Sequence, residues 1–421
     1  MTSSSTLKRR VINPDGNIGT FYNINRDEVL DQSASIDKYE EIQSYKPVHC
    51  EFIDDSIEEF QNLLKWISIE GDLRVNILLK SELRTGVAAL IDHQYKIDKY
   101  TRVMHYFCVY HERRILDNST EAREHCKPIP NDLLATHIIS AVSFGIDVVI
   151  VLQVPADDQT AERIDVALKK IQTQWKNSSD ISHSIEDDVN ILEKITLTKI
   201  YSNLIRITKM TSFIEICQFI DRNKQKINEY CPIEYTLQPI EWLYPDTVSS
   251  YPSYLPLDKI YIDKFEKHLI EILNSYKQIS DLLEYYSNQI LPDYLKELLV
   301  EMESEYRSLQ VLYESGILRL TTLMMEIHSG QANVDEIDPA LEHYDQTIFK
   351  AYIQIILKKL MLIIEEIQYV NSSQPEKLKY NQFSETEINQ HVMEQMLECQ
   401  IATEKQSDDE IFSNDQVLDN K

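Results

Sequence analysis

Glycine is scarce in this chain, with seven residues in 421, at positions 16, 19, 71, 86, 145, 316 and 330. So few leave little room for the glycine-rich loops that cradle phosphates, and none occurs. No HExxH, nucleophile elbow or CxxC is present either. Positive charge is also in short supply: 42 basic residues face 69 acidic ones, for a formal charge of -27. Nucleic-acid binding is disfavoured, because phosphate recognition needs clustered Lys and Arg, and adsorption to anionic lipid is disfavoured for the same reason. Long uninterrupted hydrophobic runs are missing as well. The most apolar helical window, Ile348 to Ile367, carries Lys350, Lys358, Lys359, Glu365 and Glu366, which suits a buried helix of a bundle and not a membrane span.

The N-terminus, MTSSSTLKRRVINPDG, has no apolar run behind its basic residues, so no secretory signal is expected. A cytoplasmic location follows as the expectation, with release by a non-classical route and membrane association in any active state. Six cysteines (Cys50, Cys108, Cys126, Cys217, Cys231, Cys399) lack a repeated spacing, as reduced thiols would. The pairs His49-Cys50 and His125-Cys126 are adjacent in sequence, so on strands their side chains point to opposite faces and cannot share one ion. The carboxylates are too numerous and too evenly spread to single out an acid–base pair. The chain is therefore expected to be no enzyme, with no metal and no cofactor. Asn118-Ser119-Thr120 fits the glycosylation acceptor pattern and is read as a polar turn.

What is present is organisation. Residues 1–17 are polar and read as a flexible N-terminus, and 18–250 mix short β-type runs with helical stretches. After Pro252 and Pro256, apolar residues recur at helical spacing: Leu269, Ile272, Tyr276, Ile279, Leu283 and Tyr286 share one face. The pattern predicts helices ending before Pro292, from Asp293 towards Gly316, from Ile317 to about His328, and from Pro339 to about Val370. Residues 251–371 thus read as an all-α four-helix bundle, and 372–421 as a mostly disordered acidic tail.

The apolar run ending at Leu152, LLATHIISAVSFGIDVVIVL, opens on a Thr-His pair and is broken only by Gly145 and Asp147. Together with GTFYNINRDEV (Gly19–Val29), IEWLYP (Ile240–Pro245) and ISDLLEYYSNQILPDYLKEL (Ile279–Leu298), it resembles the front half of the stonustoxin and verrucotoxin-like proteins of the membrane-attack-complex/perforin (MACPF) superfamily. The resemblance implies an α+β fold: a bent antiparallel sheet with flanking helical clusters, followed by a bundle similar to focal-adhesion-targeting domains. It also implies an oligomerising pore-former whose helical clusters become membrane hairpins, with copies of itself or a related subunit as partners and a lipid membrane as target. Thr136, His137, Phe144, Gly145 and Trp242 fall on the family's fold motif and bend. The usual second glycine of the bend is Ile146 here, which stiffens the pivot. Trp242 would either dock the sheet on the bundle or anchor the first domain's own core.

Two segments are candidates for insertion. In the first, Leu73, Val75, Ile77 and Leu79 alternate with Arg74, Asn76 and Lys80, and Val87, Ala89, Ile91, Tyr95 and Ile97 resume the phase across Gly86. Each run approaches the 9 to 11 residues that a tilted membrane strand requires. The same pattern also suits an amphipathic strand or helix over a core. In the second, Ile164, Val166 and Leu168 alternate, followed more weakly by Ile195 and Leu197, then Ile205 and Ile207. The competing expectation is a non-lytic intracellular scaffold that keeps both modules and never inserts.

Overall fold

The computed structural model describes residues 6–34, 36, 39–43, 49–53, 63–79, 85–93, 98–115, 135–177, 182–223, 230–244, 254–288, 291–344 and 350–372. Its strands are β1 (Leu7–Arg10), β2 (Thr20–Asn23), β3 (Glu28–Ser33), β4 (Tyr39–Gln43), β5 (His49–Ile53), β6 (Thr101–Ile115), β7 (His137–Gln153), β8 (Thr196–Ser202) and β9 (Cys231–Pro239). The helices are α1 (Leu63–Trp66), α2 (Gly71–Leu78), α3 (Asp158–Lys176), α4 (Ser182–Leu192), α5 (Ile205–Thr208), α6 (Phe213–Asn223), α7 (Ile240–Leu243), α8 (Lys259–Ser287), α9 (Asp293–His328), α10 (Ile337–Tyr344) and α11 (Lys350–Ser372). A 3-10 helix, Gly86–Asp92, follows α2. The architecture is α+β.

All the strand pairings are antiparallel and make one sheet around β7. Along one side β7 pairs with β6, from Ala141↔Arg114 to Gln153↔Thr101. On the other side β9 takes the first half of β7 and β8 the second; β2 pairs at Phe21↔Ile138 on the β6 side, ahead of the stretch that β6 takes. β4 and β5 lie in succession along the far edge of β6.

Burial on both faces explains the long apolar run of β7. On one face Met104, Tyr106, Ile146, Val148, Ile150 and Leu152 pack with Ile164, Leu168, Ile171 and Trp175 of α3 and with Phe213, Ile216 and Ile220 of α6. On the other, Val103, Val149 and Val151 pack with Leu63, Leu64, Leu73, Ile77, Val87 and Leu90 of the α1–α2 segment.

The molecule divides into two compact units, Met1–Ile270 with Ile317–Leu341, and Glu271–Gly316 with Glu342–Lys421. The first 20 residues past the expected boundary at 250 therefore belong with the sheet. In the second unit, Ile279, Leu283, Leu295, Leu299, Met302, Leu309, Ile356, Leu360 and Ile367 are buried. Tyr276 lies 4.9 Å from Tyr306 and 5.2 Å from Tyr313 by ring centroid. Lys359 Nζ donates to Glu305 Oε1 at 2.7 Å.

Several expectations are corrected. Residues 7–10, read as flexible, form β1, whose partner β9 lies more than 200 residues away in sequence. The break expected at Gly316 does not occur. α9 runs unbroken for 36 residues, because one mid-helix glycine costs only about 1 kcal/mol against the burial of Tyr313, Ile317 and Leu320 on either side. The last expected helix is two, α10 and α11, so among the described residues four α-helices still follow residue 250. The tail from 373 onward, the glycosylation pattern at Asn118 and the pair His125-Cys126 lie outside the described residues.

Candidate functional site

The bend residue expected from sequence sits where three strands lose register together. β6 slips between Val109 and His111, leaving Tyr110 as the extra residue of a bulge, and the β7–β9 register shifts between Ser143 and Phe144. Gly145 lies between Val109 and Cys231 at this point. A Cβ there would fall on the Cys108 carbonyl oxygen and come within 2.7 Å of Ile233 Cδ1, so the β6 backbone requires glycine. Tyr110 stacks on Tyr230 at 4.3 Å, and Phe144 stacks on His111 at 4.7 Å.

Two residues beyond the bend, the Asp147 carboxylate is buried with Arg10 of β1 and His105 of β6. Arg10 Nη2 donates to Asp147 Oδ2, and its guanidinium sits 4.0 Å over the Phe107 ring. His105 Nε2 is 3.0 Å from Asp147 Oδ1. Burial works against the carboxylate, yet Arg10 and His105 hold its pKa below the ordinary range. Burial outweighs Asp147 at His105 and lowers that imidazole's pKa.

A second buried polar cluster ties α2 to the sheet. Arg9 Nε donates to Asp27 Oδ1 at 3.0 Å, Tyr22 Oη donates to the same oxygen at 3.2 Å, and Asn76 Nδ2 of α2 donates to Asp27 Oδ2 at 2.6 Å. Asp27 occupies the β2–β3 turn with φ 53°, a left-handed conformation that Asp tolerates. Arg9 Nη2 also reaches Tyr254 Oη at 3.1 Å, and Tyr254 donates to Asp72 of α2. On the opposite face Arg102 makes a two-pronged bond to Asp165 of α3, at 2.7 and 2.9 Å.

The family-motif residues occupy three places along β7 and beyond it. Thr136 Oγ1 accepts from Ile24 N at 2.9 Å and donates to Tyr22 O at 3.2 Å, and its carbonyl accepts from Ile240 N at 3.1 Å. It thus joins the start of β7 to β2 and α7. His137 opens β7, buried, with Nδ1 3.0 Å from Thr136 Oγ1. Trp242, on α7, packs with Phe21, Ala34, Ala135 and Ile138 of the first unit.

The candidate hairpin residues are helical, not extended. Leu73, Val75 and Ile77 lie in α2, and Leu79 caps it, all nearly fully buried, as are their neighbours Asn76 and Leu78. A helix apolar on every side is a buried one, so the period-two pattern was a by-product of burial all round. The alternate polar residues have partners in the folded chain: Asn76 binds Asp27, and Arg74 binds Glu266. Val87, Ala89 and Ile91 lie in the 3-10 helix, whereas Tyr95 and Ile97 lie outside the described residues. In the second segment Ile164 and Leu168 belong to α3, with Ala161, Ile171 and Trp175 completing a helical stripe, and Val166 is exposed. Asp157 caps α3 by accepting from Thr160 N at 3.0 Å. Ile205 and Ile207 form the short α5.

The chain order of these elements matters. Residues 54–100 carry α1 and α2 and join β5 to β6, which are antiparallel neighbours. Residues 154–195 carry α3 and α4 and join β7 to β8, also antiparallel neighbours. Thr101 pairs with Gln153, so both insertions leave the sheet at one end. Among the described residues no helix is long and apolar enough to cross a membrane.

A bent antiparallel sheet with two helical insertions of this kind defines a MACPF-like fold. Comparison with solved structures agrees: the chain is similar to stonustoxin, with 12% identity and a TM-score of 0.52 over 87% of this chain and 49% of that one. It thus spans about half the length of that relative. It is also similar to GNIP1Aa from Chromobacterium piscinae (13% identity, TM-score 0.28, 63% of this chain and 57% of that one). A protein with a MAC/Perforin domain from Bacteroides thetaiotaomicron matches at 11% identity and a TM-score of 0.26, over 64% of this chain and 63% of that one. Only the first likeness bears on the fold. No family model matches the chain, and no curated protein matches it.

Proposed function

We propose that this chain is a membrane-inserting protein of the MACPF type, acting as an oligomer with copies of itself or a related subunit and carrying no enzymatic activity. The observation that supports this most is topological. Each helical insertion joins two strands that are already antiparallel neighbours, so refolding it to β structure extends a hairpin in register without any new strand crossing. Residues 54–100 and 154–195 each hold more than the roughly 20 residues that two bilayer-spanning strands need. Closing such hairpins into a barrel satisfies every backbone group in lipid, which makes a ring of copies the natural active form.

A second reading, a scaffold that keeps the fold and never inserts, is favoured by the buried polar bonds from Arg9, Asp27 and Arg102 that pin both insertions, and by Ile146 in place of the bend's second glycine. Dye release from liposomes of mixed composition, with electron microscopy of the same samples, separates the two. Leakage together with ring-shaped particles supports insertion. Intact liposomes with dispersed single particles across all compositions would overturn it in favour of the scaffold.

A further inference from the structure

The tyrosine that ties α2 to the sheet lies between two buried histidines. Tyr254's ring is 6.0 Å from that of His137, which opens β7, and 5.1 Å from that of His328, the last residue of α9. Its hydroxyl links Arg9 of β1 to Asp72 of α2. The Tyr254–Leu255 stretch is held by a reciprocal pair of bonds: Leu255 N donates to the His328 carbonyl at 2.8 Å, and His328 Nδ1 donates to the Leu255 carbonyl at 2.7 Å. That bond makes Nε2 the bare nitrogen of a neutral ring, and Nε2 is buried with no hydrogen-bond partner. Asp72 Oδ1 is likewise buried and unpartnered.

We propose that Tyr254, clasped between His137 and His328, is an acid-released latch that fastens α2 to the sheet. The inference deepens the reading above, because α2 lies in the first insertion; its test needs no membrane and stands or falls apart from pore formation.

Both rings must be neutral for the packing to hold. His328 faces Asp72 on α2, Asp27 on the β2–β3 turn and Arg9 on β1; burial, and to a smaller extent Arg9, disfavours its charged form, and neither the bond to the Leu255 carbonyl nor the two carboxylates offset burial. His137 faces Arg9, and burial followed by Arg9 lowers its pKa to about 3. Tyr254, between them, is held in its phenol form by burial. A histidine with a folded pKa below the unfolded value contributes stability fully at pH above about 6.5, and loses it as pH falls towards the folded value. At pH 5.0 a ring with a folded pKa of about 3, as His137 has, favours the open form by about 30-fold once it gains water, and His328 acts in the same direction.

The test is amide hydrogen exchange of residues 72–78, corrected for the intrinsic pH dependence of exchange, at pH 7.5 and 5.0. In the unmodified chain protection should fall on acidification. The size of that fall should shrink in His328→Gln, and by at least about 30-fold in the His137→Gln/His328→Gln double variant. Amides of 299–309 report on the second unit and should hold their protection throughout. Tyr254→Phe removes the hydroxyl link and should raise exchange in 72–78 at pH 7.5 by about tenfold, with both histidines intact. An acid-induced fall of equal size in the histidine variants, or unchanged exchange in Tyr254→Phe, would overturn the latch.

Discussion

Replacing Gly145 with alanine should be costly, and the geometry gives its size. The new Cβ meets the Cys108 carbonyl oxygen, a backbone atom inside the β6–β7 ladder, and Ile233 Cδ1 at 2.7 Å. Ile233 can rotate, but Cys108 cannot retreat without breaking the bulge at Val109–His111. Overpacking of a filled core costs about 1–3 kcal/mol, and a clash with fixed backbone lies at the upper end, about 3 kcal/mol. Gly71→Ala provides the contrast. Its added Cβ meets Ile262 Cδ1 at 2.7 Å, the far end of a flexible side chain, and Gly71 starts α2, where alanine is the better helix former. A rotamer shift of about 0.5–1.5 kcal/mol and a helix gain of up to about 1 kcal/mol nearly cancel. Urea denaturation of the two variants beside the parent should place Gly145→Ala about 3 kcal/mol lower and Gly71→Ala within about 1 kcal/mol of the parent. If Gly145→Ala unfolds within 1 kcal/mol of the parent, the bend does not depend on close backbone approach.

Asp147→Asn leaves the buried Arg10 guanidinium without its counter-charge and should cost about 3–5 kcal/mol by denaturant titration, part of which Arg10→Met in the same chain restores. Stability should be flat from pH 8 to 7 and decline below about pH 6.5, because burial lowers the pKa of His105, His111, His137 and His328, and each neutral ring loses its contribution as pH falls. Arg102→Met removes the two-pronged bond to Asp165, so limited proteolysis at neutral pH should cut within 158–176 before it cuts β6 or β7. Burial pushes the Cys50 and Cys231 thiols up to about 12 and raises that of Cys217 well above its ordinary value, so all three should resist alkylation at pH 8 in the folded protein and react once urea is added.

Features legible in the sequence were those whose cause is local. β7 announces itself because burial on both faces demands a long apolar run, and Gly145 stands out because it is the one residue in that run without a side chain. The stripe Leu269, Ile272, Tyr276, Ile279, Leu283 and Tyr286 follows from one helix face, and all but the half-buried Tyr276 are buried. What was missed depends on distant partners. Arg9 and Arg10 looked like basic residues of a loose terminus; their ion-pair partners Asp27 and Asp147 are 18 and 137 positions away, and β1 is ordered by β9. The Leu73–Leu79 alternation suits a membrane strand and a strand or helix over a core alike, and the folded chain makes the helix, because burial on all sides lets a helix imitate a strand. Leu78, the one residue out of phase, was the local sign of it.

Position 166 offers the most direct test of insertion. Val166 is 65% exposed on α3, and Val300, 64% exposed on α9 in the second unit, serves as the reference. An environment-sensitive fluorophore is placed on a single cysteine at each position and its emission followed on adding liposomes. A blue shift at 166 that an aqueous quencher cannot reverse, with emission at 300 unchanged, is the outcome that insertion of residues 154–195 predicts. Unchanged emission at 166 on liposomes that have bound the protein would contradict it.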